Sequence, residues 1–185
     1  MGSGGIAWSD QGVVSVQLPE PEATRVRASL RRRMPGATES APPLEIQQLI
    51  EAFRALLRGE PTSLTDVRLD MQTVPAFDRQ VYEVARTIPF GKTLSYGQIA
   101  TRLGDVHLAR DVGQALARNP LPLVVPCHRV LAAGGKLGGF SARGGVATKQ
   151  RLLALEQADV SWQLSFSSIN CLTRGAARHI VQSSD

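Results

Sequence analysis

The spacing of hydrophobic positions along the chain changes several times, and each change marks an element. Ile6-Ala7-Trp8 and Val13-Val14-Ser15-Val16 flank Ser9-Asp10-Gln11-Gly12, which predicts a hairpin with glycine at the turn. Residues 19–43 hold five prolines and the run Arg31-Arg32-Arg33. That composition predicts a surface connection with one short helix whose arginines form a solvated end. From Leu44 to Leu57 the apolar residues at 46, 49, 50, 53, 56 and 57 keep helical spacing, and Gly59 with Pro61 ends the run. Val67 and Leu69 alternate with polar neighbours as a short strand. Residues 1–73 therefore read as a small α/β domain with no evident chemistry of its own. Gly2 to Gly5 are either an expression remnant or the ragged start of its first strand.

Thr73-Val74-Pro75 marks a boundary. Beyond it Phe77, Val81, Val84 and Ala85 form a helical stripe that ends at Ile88-Pro89-Phe90-Gly91. Ser95-Tyr96-Gly97-Gln98 has the S-x-x-Q form of a capping box, in which serine and glutamine each satisfy an amide at the helix start. The helix it opens carries Ile99, Ala100 and Leu103 and stops at Gly104. A second helix is predicted from about Leu108 to Arg118, with Val112, Ala115 and Leu116 facing inward. Two short helices joined by a tight turn have the form of a helix-turn-helix, a pattern that many proteins unrelated to DNA also contain. A last helix is predicted from about Ala147 to Glu156. Residues 74–158 make a second, mainly helical domain, and 159–185 a tail that is either loose or a docked helix around 171–181.

Charge sharpens that picture. The net charge of +5 is unevenly spread over the 185 residues: 8 Lys/Arg against 9 Asp/Glu in residues 1–76, 11 against 5 in 77–156, and 2 against 2 in 157–185. The entire excess sits on the segment with the paired helices, as expected if that module faces a polyanion; a solvated basic face is the bland alternative. With 43% hydrophobic and 20% charged residues, the chain can build a core and remain soluble. No apolar run has the length of a membrane span, and the N-terminus lacks a signal-peptide core. The two cysteines, Cys127 and Cys171, make no disulfide framework and no zinc spacing, so a reducing cytoplasm is expected.

The candidate chemistry follows the second helix. Asn119-Pro120-Leu121-Pro122 ends that helix, Leu123-Val124-Val125 is an apolar run suited to burial, and Pro126-Cys127-His128 closes it. A thiol beside an imidazole has the ingredients of an activated nucleophile, provided a base reaches the thiol and a third group orients the base. Adjacent side chains need not touch, and a buried cysteine acting as a small hydrophobe is the competing reading. Glycine pairs at 134–135, 138–139 and 144–145 leave room for a planar ligand, but no strand-Gly-helix phosphate cradle is present. Glu156 could return from the last helix to orient His128, or be an ordinary surface acid.

Taken together these residues resemble a known family. Pro126-Cys127-His128-Arg129-Val130 is similar to the active-site signature of the O6-alkylguanine-DNA alkyltransferases, or methylated-DNA–protein-cysteine methyltransferases. Ile88-Pro89-Phe90-Gly91, Ser95 through Ala100, Val112-Gly113, Asn119-Pro120 and Lys149 through Glu156 agree in order and spacing. The resemblance covers residues 74–158 closely and 6–72 only in outline. It implies an α/β N-terminal domain with a ribonuclease-H-like sheet, followed by a mainly α domain with a winged-helix-like helix-turn-helix. It also implies direct reversal of damage in double-stranded DNA: the alkyl group of O6-alkylguanine, with O4-alkylthymine as a further candidate, passes irreversibly to Cys127 in a single turnover. A non-enzymatic lesion-sensing protein is the alternative, and such proteins typically replace the cysteine.

The roles implied by that resemblance attach to individual residues. Cys127 would be nucleophile and acceptor, His128 its base through a water, Glu156 the orienter of His128, and Asn119 the brace of the turn. Tyr96 would donate a proton to N3 of the departing guanine, and the Ser141 amide would contact O6. Val130, Gly138 and Phe140 would complete the pocket. Arg110 would fill the gap left by a base flipped from the minor-groove side, with Ser95, Ala109, Gln114 and Arg118 at the DNA surface. A cofactor and a metal are not required. A monomer is implied, nucleoid-associated when bound to DNA, with cooperative clustering on DNA left open. Two features depart from the family pattern: Phe140 stands where many members have tyrosine, and Ala142-Arg143 lengthen the segment before Lys149 beside the pocket.

Overall fold

The computed structural model describes residues 2–158. Strands β1 (Ser3–Ser9) and β2 (Gly12–Glu20) pair antiparallel around the turn at Asp10-Gln11, with bulge-type register shifts between Ser3 and Gly5 and between Ala7 and Trp8. Gly2 to Gly5 thus run into the first strand. Gly12 sits at φ +141, and a Cβ there would lie 2.5 Å from the Arg68 carbonyl oxygen, so only glycine lets residues 68–69 pass so close. This close pass is what the expected strand at Val67 and Leu69 amounts to. Leu69 makes a single parallel bridge to Val13, through Val13 N–H to the Arg68 carbonyl and Asp70 N–H to the Val13 carbonyl. Pairing stops there, because Asp70 turns its carboxylate to the Ser9 hydroxyl and the Gln72 amide.

Helix α1 (Ala23–Arg33) buries only Val26 and ends in the exposed Arg31-Arg32-Arg33, whose charge suits the negative end of the helix dipole. Helix α2 (Leu44–Leu57) has the bounds its apolar spacing predicts and buries Ile46, Leu49, Phe53 and Leu56 on one face. Helix α3 (Ala76–Arg86) follows the boundary and buries Val81, Tyr82 and Ala85. The capping box forms: Ser95 Oγ accepts from the Gln98 amide at 3.1 Å and Gln98 Oε1 accepts from the Ser95 amide at 2.7 Å, opening α4 (Tyr96–Arg102). A 3-10 turn over Val106–Leu108 leads into α5 (Ala109–Ala117), one residue later than its apolar stripe suggests. Helix α6 (Gly145–Leu155) starts two residues early, because Gly144 and Gly145 supply the left-handed turn that admits it.

A second sheet, absent from the periodicity, pairs β3 (Leu94–Ser95) in parallel with β4 (Val130–Leu131). It is short, yet it joins the start of α4 to the segment after Cys127. The two halves share one hydrophobic core running from Val13 and Leu56 through Val81, Ile99 and Val112 to Val125 and Leu152. Polar contacts reinforce the seam. Val16 N–H donates to the Pro120 carbonyl at 2.8 Å, and the Arg86 guanidinium gathers the carbonyls of Leu64, Thr65 and Val67. The docked helix considered for 171–181, with Cys171, lies outside the described residues.

Candidate active site

The turn that carries Cys127 is built by denying the chain every regular option. Pro120 and Pro122 end the helical path, Leu123 takes φ +74, and Val125 N–H closes back on the Leu121 carbonyl at 2.8 Å. A buried leucine in the left-handed region costs about 1 kcal/mol or more, offset here by burial of Leu121, Leu123, Val124 and Val125 at 0 to 3% exposure. Pro126, at φ −79 and ψ 63, forms an inverse γ-turn with Cys127 N–H on the Val125 carbonyl. Asn119 spans this turn. Its Oδ1 accepts from the Leu121 amide at 2.9 Å, while Nδ2 donates to the Val125 carbonyl at 3.0 Å and lies 3.4 Å from Cys127 Sγ.

Cys127 is 8% exposed, and burial pushes its thiol above the ordinary cysteine range; the Asn119 donor and the Lys149 charge pull the other way. At rest the sulfur is therefore protonated, and a base must take that proton. His128 is fully buried, and burial holds its imidazole below the usual range against the pull of Glu156. Nε2 lies 2.8 Å from Glu156 Oε1. A carboxylate can only accept, so Nε2 carries the proton and Nδ1 presents its lone pair. Nδ1 is buried and has no hydrogen-bond partner among the described residues, which leaves its lone pair to receive a proton.

Glu156 is no surface acid: it is 2% exposed. Burial would raise its carboxyl, but hydrogen bonds from His128 and Arg129 outweigh that and bring it to about 2. Arg129 donates to both carboxylate oxygens at 2.8 and 2.9 Å and to the Ile88 carbonyl at 2.6 Å, and the Gly91 amide also approaches the carboxylate at 3.3 Å. The carboxylate is thus held charged and fixed for His128.

Lys149, which the sequence marks only as part of a flanking stretch, is 0% exposed. Its Nζ donates to the Val130 carbonyl at 2.5 Å, approaches the Gly139 carbonyl at 3.5 Å, and lies 5.8 Å from the centre of the Tyr96 ring. Burial lowers its ammonium to about 8, partly restored by the Cys127 sulfur nearby. Tyr96 is half-buried and its phenol is pushed up by burial, then by the Cys127 charge. A Cβ on Gly138, which sits at φ +64, would lie 3.2 Å from the Tyr96 hydroxyl, so a side chain there would crowd the phenol. Cys127, His128, Glu156, Asn119, Tyr96, Val130 and Gly138 therefore come together. Arg129 and Lys149 join them, and no periodic pattern marks either.

The expected DNA surface is less uniform. Arg110 is exposed in the first turn of α5, and among the described residues no ion pair engages it. Gln114 is also exposed, Ser95 is committed to its cap, and Ala109 packs partly against the core. Arg118 makes a bidentate pair with buried Asp78 at 2.8 and 2.9 Å, which ties α5 to α3 and neutralises much of its charge. Phe140 packs on the core and Ser141 is exposed. Ala142 also packs on the core, while Arg143 reaches away to Glu20. Among the described residues no group of three or more His, Cys, Asp or Glu is placed to hold a metal, and no helix is long and apolar enough to cross a membrane.

Residues 76–158 match the family model described as 6-O-methylguanine DNA methyltransferase, DNA binding domain. A methylated-DNA–protein-cysteine methyltransferase of Methanothermobacter thermautotrophicus is 35% identical over 86% of this chain and 82% of its own length. One from Mycolicibacterium paratuberculosis is 40% identical over 79% of this chain and 87% of its own. Among solved structures, Mycobacterium tuberculosis OGT in complex with DNA has a TM-score of 0.64 at 33% identity, covering 82% of this chain and 84% of that one.

Proposed function

The chain belongs to the methylated-DNA–protein-cysteine methyltransferase family, and from that premise we propose that it repairs alkylated DNA by moving the alkyl group from O6 of guanine onto Cys127. One observation carries the assignment of the acceptor: a buried thiol beside a neutral imidazole whose Nδ1 has no partner among the described residues and whose Nε2 is anchored on a fixed carboxylate. His128 takes the thiol proton through a bridging water, and Glu156 stabilises the imidazolium that forms. The thiolate attacks the saturated alkyl carbon in line, the carbon–O6 bond breaks, and its electron pair leaves on guanine. Tyr96 supplies the proton that keeps the leaving base neutral, and the Lys149 charge lies close enough to steady both thiolate and phenolate. The Ser141 amide faces O6, and the pocket is completed by Val130, Gly138 and Phe140. The product is a thioether with no route back, so each molecule acts once, without cofactor or metal.

The alkyl carbon of a stacked guanine is out of reach, so the nucleotide is extruded into the pocket. Arg110 on α5 is placed to fill the gap, with the exposed Gln114 beside it and Ser95, Ala109 and Arg118 at the margins of the same minor-groove surface. We read the hairpin, its flanking helix α1 and the Val13–Leu69 bridge as a reduced ribonuclease-H-like unit over residues 1–73. Residues 74–158 are then the winged-helix-like catalytic domain. We place the protein in the cytoplasm on its cysteine usage, and take it as a monomer as the resemblance implies.

The test is direct. Incubated with duplex DNA containing one O6-methylguanine, the protein should gain a single methyl group, mapped to Cys127 by intact and peptide mass. Cys127→Ser should gain none while still binding the duplex. Binding without transfer by the unaltered chain would overturn the enzyme reading in favour of lesion sensing.

A further inference from the structure

The segment that walls the pocket, from Gly138 to Gly144, packs Phe140 and Ala142 on the core but has few hydrogen bonds, among the described residues, to the domain that contains it. Lys149 approaches the Gly139 carbonyl at 3.5 Å, Gly145 N–H turns back to the Ala142 carbonyl, and Thr148 Oγ1 donates to the Arg143 carbonyl. Its one charged side chain leaves the domain. Arg143 Nη1 donates to Glu20 Oε2 at the end of β2, a contact spanning 123 residues of sequence. The Glu20 side chain is 8% exposed and that of Arg143 54%. The carboxylate is held ready: its Oε1 accepts from Gln17 Nε2 at 2.9 Å, and Gln17 Oε1 accepts from the Ser29 hydroxyl at 3.0 Å. A buried carboxylate oriented by its own strand and helix, and capped by one guanidinium from the pocket wall, is an expensive arrangement for mere surface charge pairing.

We propose that Arg143 and Glu20 form a latch through which the N-terminal half fixes the alkyl-pocket wall, making both of them positioning residues that tune alkyl-group selectivity. The proposal rests on the alkyl-transfer reading above. With the latch closed, Gly138 stays against Tyr96 and Gly139 against Lys149, the geometry a small methyl group needs for in-line attack. With the latch open, the wall gains freedom, which costs methyl transfer and relieves crowding for a bulky group.

The experiment compares the unaltered chain with Arg143→Ala, Glu20→Gln, the double variant and Arg143→Lys. It measures the rate constant of Cys127 alkylation by O6-methylguanine and by O6-benzylguanine, both in the same duplex, with the thermal midpoint of each protein. Each single variant should lose about tenfold on the methyl substrate and much less on the benzyl one, so the ratio of rates shifts toward the bulky group. The double variant should be no worse than the poorer single one, since one contact cannot be lost twice. Arg143→Lys should recover part of the methyl rate. Unchanged ratios, losses that multiply in the double variant, or equal falls on both substrates that track the thermal midpoint would each overturn the latch. If the unaltered chain alkylates Cys127 with neither substrate, the functional reading fails first and takes the latch with it. A normal reaction with unmoved ratios removes the latch alone.

Discussion

The N-terminal and C-terminal halves pack into one core, yet they bury different things. Up to residue 73 the buried polar groups are Ser15, Gln17 and Glu20, all on β2, while the interior is made of residues such as Val16, Leu49, Phe53 and Leu56. Beyond it the interior holds Asp78, His128, Arg129, Lys149 and Glu156. An apolar group inside stabilises by about 25 cal/mol per Å² buried, whereas a buried ion pair roughly breaks even against an apolar replacement. The first half is thus packed for stability. The second half carries charges that stability alone would not select: Asp78 pairs with Arg118, while His128, Arg129, Lys149 and Glu156 lie in the cluster with Cys127. The difference predicts that damage to the apolar interior of the first half lowers the amount of folded protein, and that damage to the buried charges around Cys127 also lowers what each folded molecule can do.

The largest effect belongs to Glu156→Gln. It leaves Arg129 and His128 buried without their carboxylate, so stability should fall by roughly 3–5 kcal/mol and alkyl transfer by about a hundredfold or more. Chemical denaturation and single-turnover rates measured on the same samples check both. The variant should also lose the part of its acid sensitivity that Glu156 supplies. Glu156 titrates near 2 in the folded chain against 4.5 for the free group, so its contribution is present above pH 4.5 and disappears as pH falls toward 2. His128, held below 6.5 by burial, is protonated first in the unfolded chain, so stability already declines below pH 6.5. Lys149 acts on the alkaline side. Its buried ammonium is a full cost below pH 8, and that cost shrinks between 8 and 10.5. An unaltered chain whose stability is flat from pH 7 to 4 would break the contrast between the halves.

Leu56→Ala is the matching cut in the first half. Leu56 is 0% exposed in the last turn of α2, and its truncation should cost about 3 kcal/mol. The rate per folded molecule should be unchanged, and the loss should be the same at pH 7 and pH 5. A slower transfer step in fully folded protein would show that the two halves are less separate than their interiors suggest. Arg110→Ala sharpens the comparison within the second half, because Arg110 is exposed and outside the buried cluster. It should slow repair of O6-methylguanine in duplex DNA by about tenfold and leave reaction with free O6-benzylguanine unchanged, as expected for a residue that acts only when a base leaves the stack. Equal losses on both substrates would remove its role in filling the gap.

The contrast between halves also governs what could be read in advance. Periodicity and capping are local, so α2, the hairpin and the Ser95-Gln98 box were legible residue by residue. The Cys127-His128 pair was legible as chemistry because sequence neighbours declare themselves. What escaped was set by distance or by exception. The β3–β4 pairing is two residues long on each side, below any period. Lys149 sits in the interior, where lysine is rarely found, so its helix reads as if it faced water. Arg129 was visible inside the signature, but its bidentate grip on Glu156 spans 27 residues and no spacing rule predicts it. Val67-Leu69 misled for the opposite reason: alternation was present, but the chain passes β2 only at the point where Gly12 has no side chain.

The smallest effect tests where local and functional structure meet. Ser95 caps α4, and its own backbone pairs with Leu131 through β3 and β4, so one residue joins the helix that carries Tyr96 to the segment after Cys127. Ser95→Ala removes the side-chain acceptor for the Gln98 amide and should cost about 1 kcal/mol by thermal unfolding. Gln98 can still return to the Ser95 amide, so the strand pairing should survive and Tyr96 should stay against Gly138. Transfer should then slow by no more than about twofold, since the cap supports the first turn of α4 and touches no reacting atom. A loss of tenfold or more on free O6-benzylguanine, with stability down by only that amount, would mean the cap aims Tyr96. The line between scaffold and site would then run through the helix start and not at residue 74.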